Sequence, residues 1–345
     1  MIKKRSLLMR FLPVAAMLLL LPLQGHAAEA HKGDVSLVIG GFFPGTSMHL
    51  RAQAIGGALR RDFPDWKLTV TSGTSAKENE VEYLKGKRDL FVTTTTWKAD
   101  VTVMSKGTPD YVKRMDAMVV MPTSMKTHQF LVNANTGLNS VHDIRLKKFP
   151  LKVGTTTKGD SNYYHNQIIF GAYGITIEEI EKWGGNIQPA ADMTPSTNTF
   201  KMGKLDAVFK YAGVPIPQYL ELSEIKPLKM KLLPLGEEPE VLKIVKEKLD
   251  LDRGVIKAGT YPFMDKDVTT LSFPEMLVAS PRVPEAVVYS IMKTLWEKKE
   301  YLFNSHASFR EAIETPELLI KNLKTYGRPV HPGAERFFKE KGWLK

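Results

Sequence analysis

The chain has 345 residues, a formal net charge of +11 and no cysteine. Without thiols there are no disulfides, iron–sulfur clusters, thiolate zinc sites or cysteine catalysis. The length suits two domains, and the scattered charge, densest at Lys147-Lys148 and between Lys339 and Lys345, reads as solvated surface rather than a nucleic-acid footprint.

Lys3, Lys4, Arg5 and Arg10 precede an almost wholly apolar run from Phe11 to Leu23, and Gly25-His26-Ala27-Ala28 follows. This order is that of a secretory signal peptide, residues 1–27, cleaved near Ala27/Ala28. The run of about 13 apolar residues is short of the roughly 20 that span a bilayer. No cysteine follows for lipid attachment, so a soluble periplasmic protein with a charge near +7 is expected.

Val35–Ile39 reads as a strand and residues 48–61 as a helix, with Met48, Ala52, Ile55 and Leu59 on one face. Lys67–Thr71 is a second strand, Ala76–Leu84 a second helix and Asp89–Thr94 a third strand. This alternation predicts an open parallel sheet. Ala117–Met121 and Gln129–Asn133 read as two extended crossing segments. A second α/β unit follows: a strand at Leu151–Gly154, a helix running to about Ala172, strands near Ile187 and at Leu205–Phe209, and a short helix at Pro195–Met202. Lys229–Leu235 is a further strand, and a Pro- and Gly-containing stretch surrounds Gly254–Phe263. Val268–Ser280 is extended, and helices are expected at Pro284–Lys298, His306–Glu314 and Pro316–Lys324. These late helices have too few strands for a sheet of their own and are expected to return to the first unit. The predicted class is α/β, with lobe I formed by 28–125 and 268–345, lobe II by 126–267, and a cleft between them.

Ligands of parallel α/β sheets sit outside the carboxyl ends of the strands, so the strand-end loops carry the candidate ligand contacts. In the first loop these are Phe43, Thr46, Ser47 and His49, where small residues lead into a helix N-terminus. It is not G-x-G-x-x-G, and nucleotide binding is not indicated. In the second loop, Ser75 and Asn79 supply a hydroxyl and an amide that cap the helix or bind a carboxylate. The third offers Thr94, Thr95 and Trp97, hydroxyls beside a flat ring. The fourth, from the other lobe, offers Thr156, Thr157, Lys158 and Ser161, with Lys158 suited to an acidic ligand. Tyr211 and Gly213 end a further strand, and the glycine permits close backbone approach. No histidine spacing suggests a metal, no G-x-S-x-G elbow is present, and no carboxylate pair suggests glycosidase chemistry. Asp89 and Asp206, each before an apolar strand, read as turn residues. No cofactor is called for.

A series of motifs resembles the TAXI family of TRAP-transporter extracytoplasmic solute receptors. Val38-Ile39-Gly40 through Gly56 is similar to that family's opening strand, glycine loop and first helix. Thr71–Leu84 resembles its T-G-G-S-x-x-N segment, and Gly86–Asp89 its G-x-x-D turn. Asp143–Gly154, Gly203-Lys204-Leu205-Asp206-Ala207-Val208-Phe209 and Ala258-Gly259-Thr260-Tyr261 resemble later segments, and Pro329–Glu340 resembles the C-terminal L-H-P-G-A segment. The family's paired tyrosines in the first loop are Met48 and His49 here, a T-G-G-S glycine is Thr74, and Thr156–Ser161 departs from G-S-G-T. The resemblance implies a monomeric, non-catalytic, two-lobed periplasmic-binding-protein-like (Venus flytrap) receptor. It would close on a small organic acid or amino acid and pass it to TRAP membrane subunits in transient contact, with no nucleic-acid partner. A receptor signalling to a membrane sensor protein and a periplasmic enzyme are the alternatives.

Overall fold

Two long strands organise the fold. The computed structural model describes residues 34–42, 44, 46–73, 76–94, 115–157, 161–190, 193–325 and 328–345. The leader lies outside these residues. In chain order the first elements are β1 (Ser36–Gly40), α1 (Ser47–Asp62), β2 (Lys67–Thr71), α2 (Ala76–Leu84), β3 (Leu90–Thr94) and β4 (Met118–Asn133). The middle of the chain forms α3 (His142–Leu146), β5 (Lys152–Thr156), α4 (Ser161–Ala172), α5 (Ile177–Lys182), β6 (Asn186–Ala190), α6 (Met193–Lys201) and β7 (Ala207–Ala212). Then come α7 (Pro217–Ser223), β8 (Met230–Leu233), α8 (Pro239–Leu249), β9 (Asp252–Ile256) and β10 (Val268–Ala279). The chain ends in α9 (Glu285–Glu297), α10 (Lys299–Ser305), α11 (Ser308–Ile313), α12 (Pro316–Thr325) and α13 (Pro332–Glu340).

The strands form one sheet in the order β2-β1-β3-β10-β4-β7-β5-β6, with β8 beside β4 and β9 beside β10. The predicted β-α alternation is present, and β1 pairs with β2 and β3, and β5 with β6 and β7, in parallel. The sheet as a whole is mixed, because β4 and β10 run antiparallel to each other and to β7 and β3. The two segments predicted at Ala117–Met121 and Gln129–Asn133 belong to the single 16-residue β4. Pro122, Ser124 and Lys126 interrupt the apolar pattern there. Register shifts in β10 at Glu275/Met276 and Leu277/Val278 accompany the proline, as expected where a residue without an N–H enters a ladder.

Local signals explain the helix starts. Thr46 caps α1, accepting from His49 N, and Thr176 with Glu179 forms a capping box on α5. Helices α7 and α8 lie where the periodicity predicts none, and they, like α13, have proline in the first turn, where a missing N–H costs nothing.

Apolar residues of β1, β3, α1, α9, α12 and α13 share one core with Val119–Met121 of β4 and Met276–Ala279 of β10. Phe130 and Val132 of β4, with Leu271 and Phe273 of β10, belong to a second core under α4 and α8. A third core gathers Leu131, Val208, Tyr219 and Tyr261. Thus β4 and β10 each pass from one core to the next. The two parallel units also share a device. Asp89 Oδ2 accepts from Val38 N at 2.8 Å, and Asp206 Oδ2 accepts from Lys152 N at 2.8 Å. Asp89 thus holds the middle of β1 and Asp206 the start of β5.

The buried His331 locks the C-terminal helix in place. Its N–H bonds Val119 O at 2.8 Å, and its Nδ1 accepts from Gly333 N at 3.2 Å. A Cβ on Gly333 would stand 2.2 Å from Glu285 O and 2.6 Å from Tyr289 N. Both contacts are with the backbone of α9, which cannot move aside cheaply. Gly333→Ala is therefore expected to destabilise the protein by about 2–4 kcal/mol through overpacking. Urea denaturation followed by circular dichroism would measure this, and an unchanged midpoint would refute it.

Candidate functional site

The first two loops are knitted to each other. Gly41 N donates to Thr71 O at 2.8 Å, and Gly73 N to Phe42 O at 3.3 Å. Asn79, fully buried in α2, donates from Nδ2 to Gly41 O at 2.6 Å. A Cβ on Gly40 would meet Asn79 Oδ1 at 2.6 Å, and one on Gly41 would meet Thr71 O at 2.8 Å and His49 Nδ1 at 2.9 Å. Close approach of loop, amide and imidazole thus requires the glycine pair. Thr46 serves as helix cap, His49 lies half-buried with Nε2 3.3 Å from Gln53 Nε2, and Ser47 is exposed.

The predicted residues of the other unit form a second group. Ser161 Oγ and Tyr211 Oη are hydrogen-bonded at 2.6 Å, and Gly213 O accepts from Gln129 Nε2 at 3.4 Å. Thr156 Oγ1 is buried with no hydrogen-bond partner among the described residues, and Thr157 is exposed. Phe43, Ser75, Thr95, Trp97 and Lys158 lie outside the described residues.

Between these groups the sheet carries a row of polar side chains that strand-end reasoning missed. In an antiparallel ladder, directly paired residues share a face. Glu275 on β10 pairs with Thr94 on β3 and Ser124 on β4, and Phe273 pairs with Lys126. His128, two residues further along β4, pairs with Tyr211 on β7. Thr94, Glu275, Ser124, Lys126, Phe273, His128 and Tyr211 therefore lie along one face, running from one predicted group to the other.

The charged end of the row is buried. Arg51, on the apolar face of α1, donates from Nη2 to Glu275 Oε2 and from Nη1 to Ser308 Oγ at 2.9 Å. Ser124 Oγ donates to Glu275 Oε2 at 2.7 Å, and Lys126 Nζ stands 3.6 Å from Glu275 Oε1. Arg51 Nε has no hydrogen-bond partner among the described residues. Burial, with Arg51 beside it, pulls Lys126 down to about 7, against the attraction of Glu311. Burial pushes Glu311 of α11 up to about 7, and burial near the two cations pulls His306 down to about 4.

The other end is aromatic. His128 Nε2 and His165 Nδ1 are 3.0 Å apart. Both rings pack with Tyr211 and Phe273 at centroid distances of 5.2–5.7 Å. Burial pulls His128 down to about 3 and His165 well below its ordinary value, with His128 adding to the latter. Both imidazoles are neutral at pH 7. Among the described residues no three metal-ligating groups converge, and no helix is long and apolar enough to cross a membrane.

Buried polar side chains on the central strands are thus flanked by strand-end loops from two α/β units. The fold is similar to that of a TctC solute-binding protein from Polaromonas, at 11% identity and TM-score 0.50, over 89% of this chain and 98% of that one. It is equally similar to PhnD1 from Prochlorococcus marinus, solved with methylphosphonate, at 12% identity and TM-score 0.50, over 90% of this chain and 99% of that one. The model of the NMT1-like family matches residues 67–342, and the chain belongs to that family.

Two predictions follow from the row. Glu275→Gln leaves two buried cations without their carboxylate and is expected to cost about 3–5 kcal/mol, read from the urea midpoint. The imidazoles set a pH dependence. Unfolded histidine takes a proton below about 6.5, whereas native His128 does so only near 3. The contribution of this pair is complete above about pH 6.5 and is lost as pH falls, by about 1.4 kcal/mol per pH unit for each imidazole, for His128 as far as about pH 3. His165→Gln should lower the measured slope by about 1.4 kcal/mol per pH unit, and an unaltered slope would show that the pair does not contribute to it.

Proposed function

We propose that this protein captures a small organic anion or amino acid in a cleft between two lobes and delivers it to TRAP-type membrane subunits. The observation that carries the reading is the polar row on β4 and β10, which joins Thr94 at one end to Tyr211 and Ser161 at the other. A solute held there draws contacts from both parallel units. Lobe I is proposed as residues 28–125 and 268–345, and lobe II as 126–267. The passage of β4 and β10 from one apolar core to another supports a division into two lobes. The first four strand-end loops, with Phe43, Thr46, Ser47, His49, Ser75, Asn79, Thr94, Thr95, Trp97, Thr156, Thr157, Lys158 and Ser161, together with Tyr211 and Gly213, form the proposed rim and walls. A solute that contacts both lobes only when they meet favours the closed population.

The first test is a thermal-shift screen of protein purified after export of the full chain. The protein is stripped of carried solute by denaturation and refolding. Dicarboxylates, keto acids, amino acids and aromatic acids form the panel. A solute binding only the native state stabilises it by about 2.7 kcal/mol at a hundredfold excess over Kd. A saturable shift with one chemical class is expected. Refolded protein unmoved by every compound would sink the reading. With the identified solute, Tyr211→Ala should weaken binding about tenfold or more in variant protein that circular dichroism shows to be folded.

A further inference from the structure

We infer that the second parallel unit docks on an anionic phospholipid bilayer through its end remote from the proposed solute site. Leu146 and Met202 enter the headgroup layer, and the lysines around them lie against lipid phosphates. This surface is separate from the strand-end loops of the receptor reading and does not depend on that reading.

The sheet topology gathers five turns at this end. Strands β5, β6 and β7 start there, β4 finishes there, and β8 starts beside it. Backbone hydrogen bonds join neighbouring turns. Asn186 N donates to Leu151 O, Asp206 N to Lys152 O and Asn133 N to Asp206 O, each at 2.8 Å, and Ala134 N to Lys229 O at 2.9 Å. Five strands side by side span roughly 20 Å. Thr156 and Tyr211 stand near the opposite ends of β5 and β7.

These turns are basic. Lys147, Lys148 and Lys152 lead into β5, Lys182 into β6, and Lys201 and Lys204 into β7. Lys226, Lys229 and Lys231 lie at the entry to β8, and of all these lysines only Lys231 is not fully exposed. The acids of the turns are Asp206, whose Oδ2 accepts from Lys152 N at 2.8 Å, and Glu224. Asp143, Glu181 and Glu221 stand in the helices that enter the turns, and Asp143 is paired with Lys147 at 3.3 Å. Among the described residues Lys148, Lys152, Lys182, Lys201 and Lys204 have no ion pair. The first unit differs at its corresponding end, where Lys85 and Lys87 before β3 both pair with Glu82, at 2.9 and 3.2 Å. In the sequence these lysines are scattered, and only the fold brings them to one edge.

Composition selects a bilayer over a protein partner. Every cation in the turns is lysine, a hydrated point charge on a flexible stem, suited to a diffuse anionic surface. Protein interfaces instead favour arginine and aromatic residues and are poor in lysine. The aromatic residues of the turns, Phe149 and Trp183, pack against the second core. What the edge does expose is aliphatic. Leu146 is 80% exposed and Met202 60%, the two most exposed large apolar side chains among the described residues. Leu146 precedes Lys147-Lys148, and Met202 lies between Lys201 and Lys204, at the entries to two paired strands. An apolar tip beside lysines can enter the headgroup layer while the ammonium groups stay at its surface.

The test is co-sedimentation of the exported protein with phosphatidylcholine vesicles, with and without about 30% phosphatidylglycerol, at about 0.05 M and about 0.5 M salt. Anionic vesicles at low salt are expected to bind it. Pure phosphatidylcholine, or high salt, should weaken binding about tenfold or more. A variant combining Lys148→Glu, Lys204→Glu and Lys229→Glu, all at exposed positions, should lose about 100-fold or more in affinity for anionic vesicles. Leu146→Ser with Met202→Ser should lose about tenfold. Lys85→Glu, Lys87→Glu and Lys341→Glu together make the same charge change on the first unit and should retain most of the binding. No sedimentation with anionic vesicles at low salt would overturn the inference. So would equal losses in the two charge variants, or binding by either edge variant, shown to be folded by circular dichroism, as tight as wild type. If a variant does not fold, the lipid and salt comparisons on wild type decide the matter, and salt-insensitive binding would refute the lysine contacts. Binding to soluble polyglutamate but not to anionic vesicles would overturn the bilayer in favour of an acidic protein. Each of these failures leaves the receptor reading untouched.

Discussion

The antiparallel pairing of β4 with β10 is the constraint on which the rest of the molecule depends. Each strand contributes apolar side chains to one core near one end and to another core near the other. The parallel units on either side hang from this pair through β3 and β7. Because paired residues share a face, the ladder also fixes which side chains meet. Glu275 is set against Thr94 and Ser124, and Phe273 against Lys126. A one-residue slip would turn this set to the other side of the sheet, and the charged groups would lose one another in the interior.

Burying Arg51, Lys126 and Glu275 together is expensive in solvation, and such clusters contribute less to stability than well-packed apolar groups of equal volume. Their presence at the centre of the sheet is better understood through recognition. Glu275 holds the guanidinium of α1 and orients Ser124, while Lys126 keeps part of its donor capacity. The result is an electrostatic environment prepared before any solute arrives, so little reorganisation is needed on binding. The adjoining histidines serve differently. Their burial keeps them uncharged, and they pack into the aromatic cluster without adding a further cation.

The first two loops show how a family motif can change its side chains and keep its geometry. Gly40 and Gly41 lie so close to Asn79, Thr71 and His49 that no Cβ fits. Asn79 ties the loops through the backbone carbonyl of Gly41. Its Nδ2 donor is thereby committed to the scaffold, while its Oδ1 has no hydrogen-bond partner among the described residues, and Thr46 Oγ1 caps α1. At these positions residue type pointed to a polar, helix-leading loop, and the fold divided the work between holding the loop and facing outward.

What the sequence by itself determined was local. Strand–helix alternation, the limits of β2 and α2, the aspartates that precede apolar strands and the His-Pro-Gly helix entry all follow from periodicity, turn chemistry and capping, which act over a few residues. Even part of the hidden site was legible. Arg51 falls on the apolar face with Met48 and Ile55, and Lys126, His128 and Glu275 interrupt long apolar strands. A charge in such a setting signals a buried partner but does not name it. Only the tertiary structure decided that Arg51 meets Glu275, 224 positions away, that His128 meets His165, and that β4 and β10 make the parallel halves one mixed sheet. Those choices depend on register and on the shared burial of distant segments, and no local pattern encodes the distance between two residues that only a folded sheet brings together.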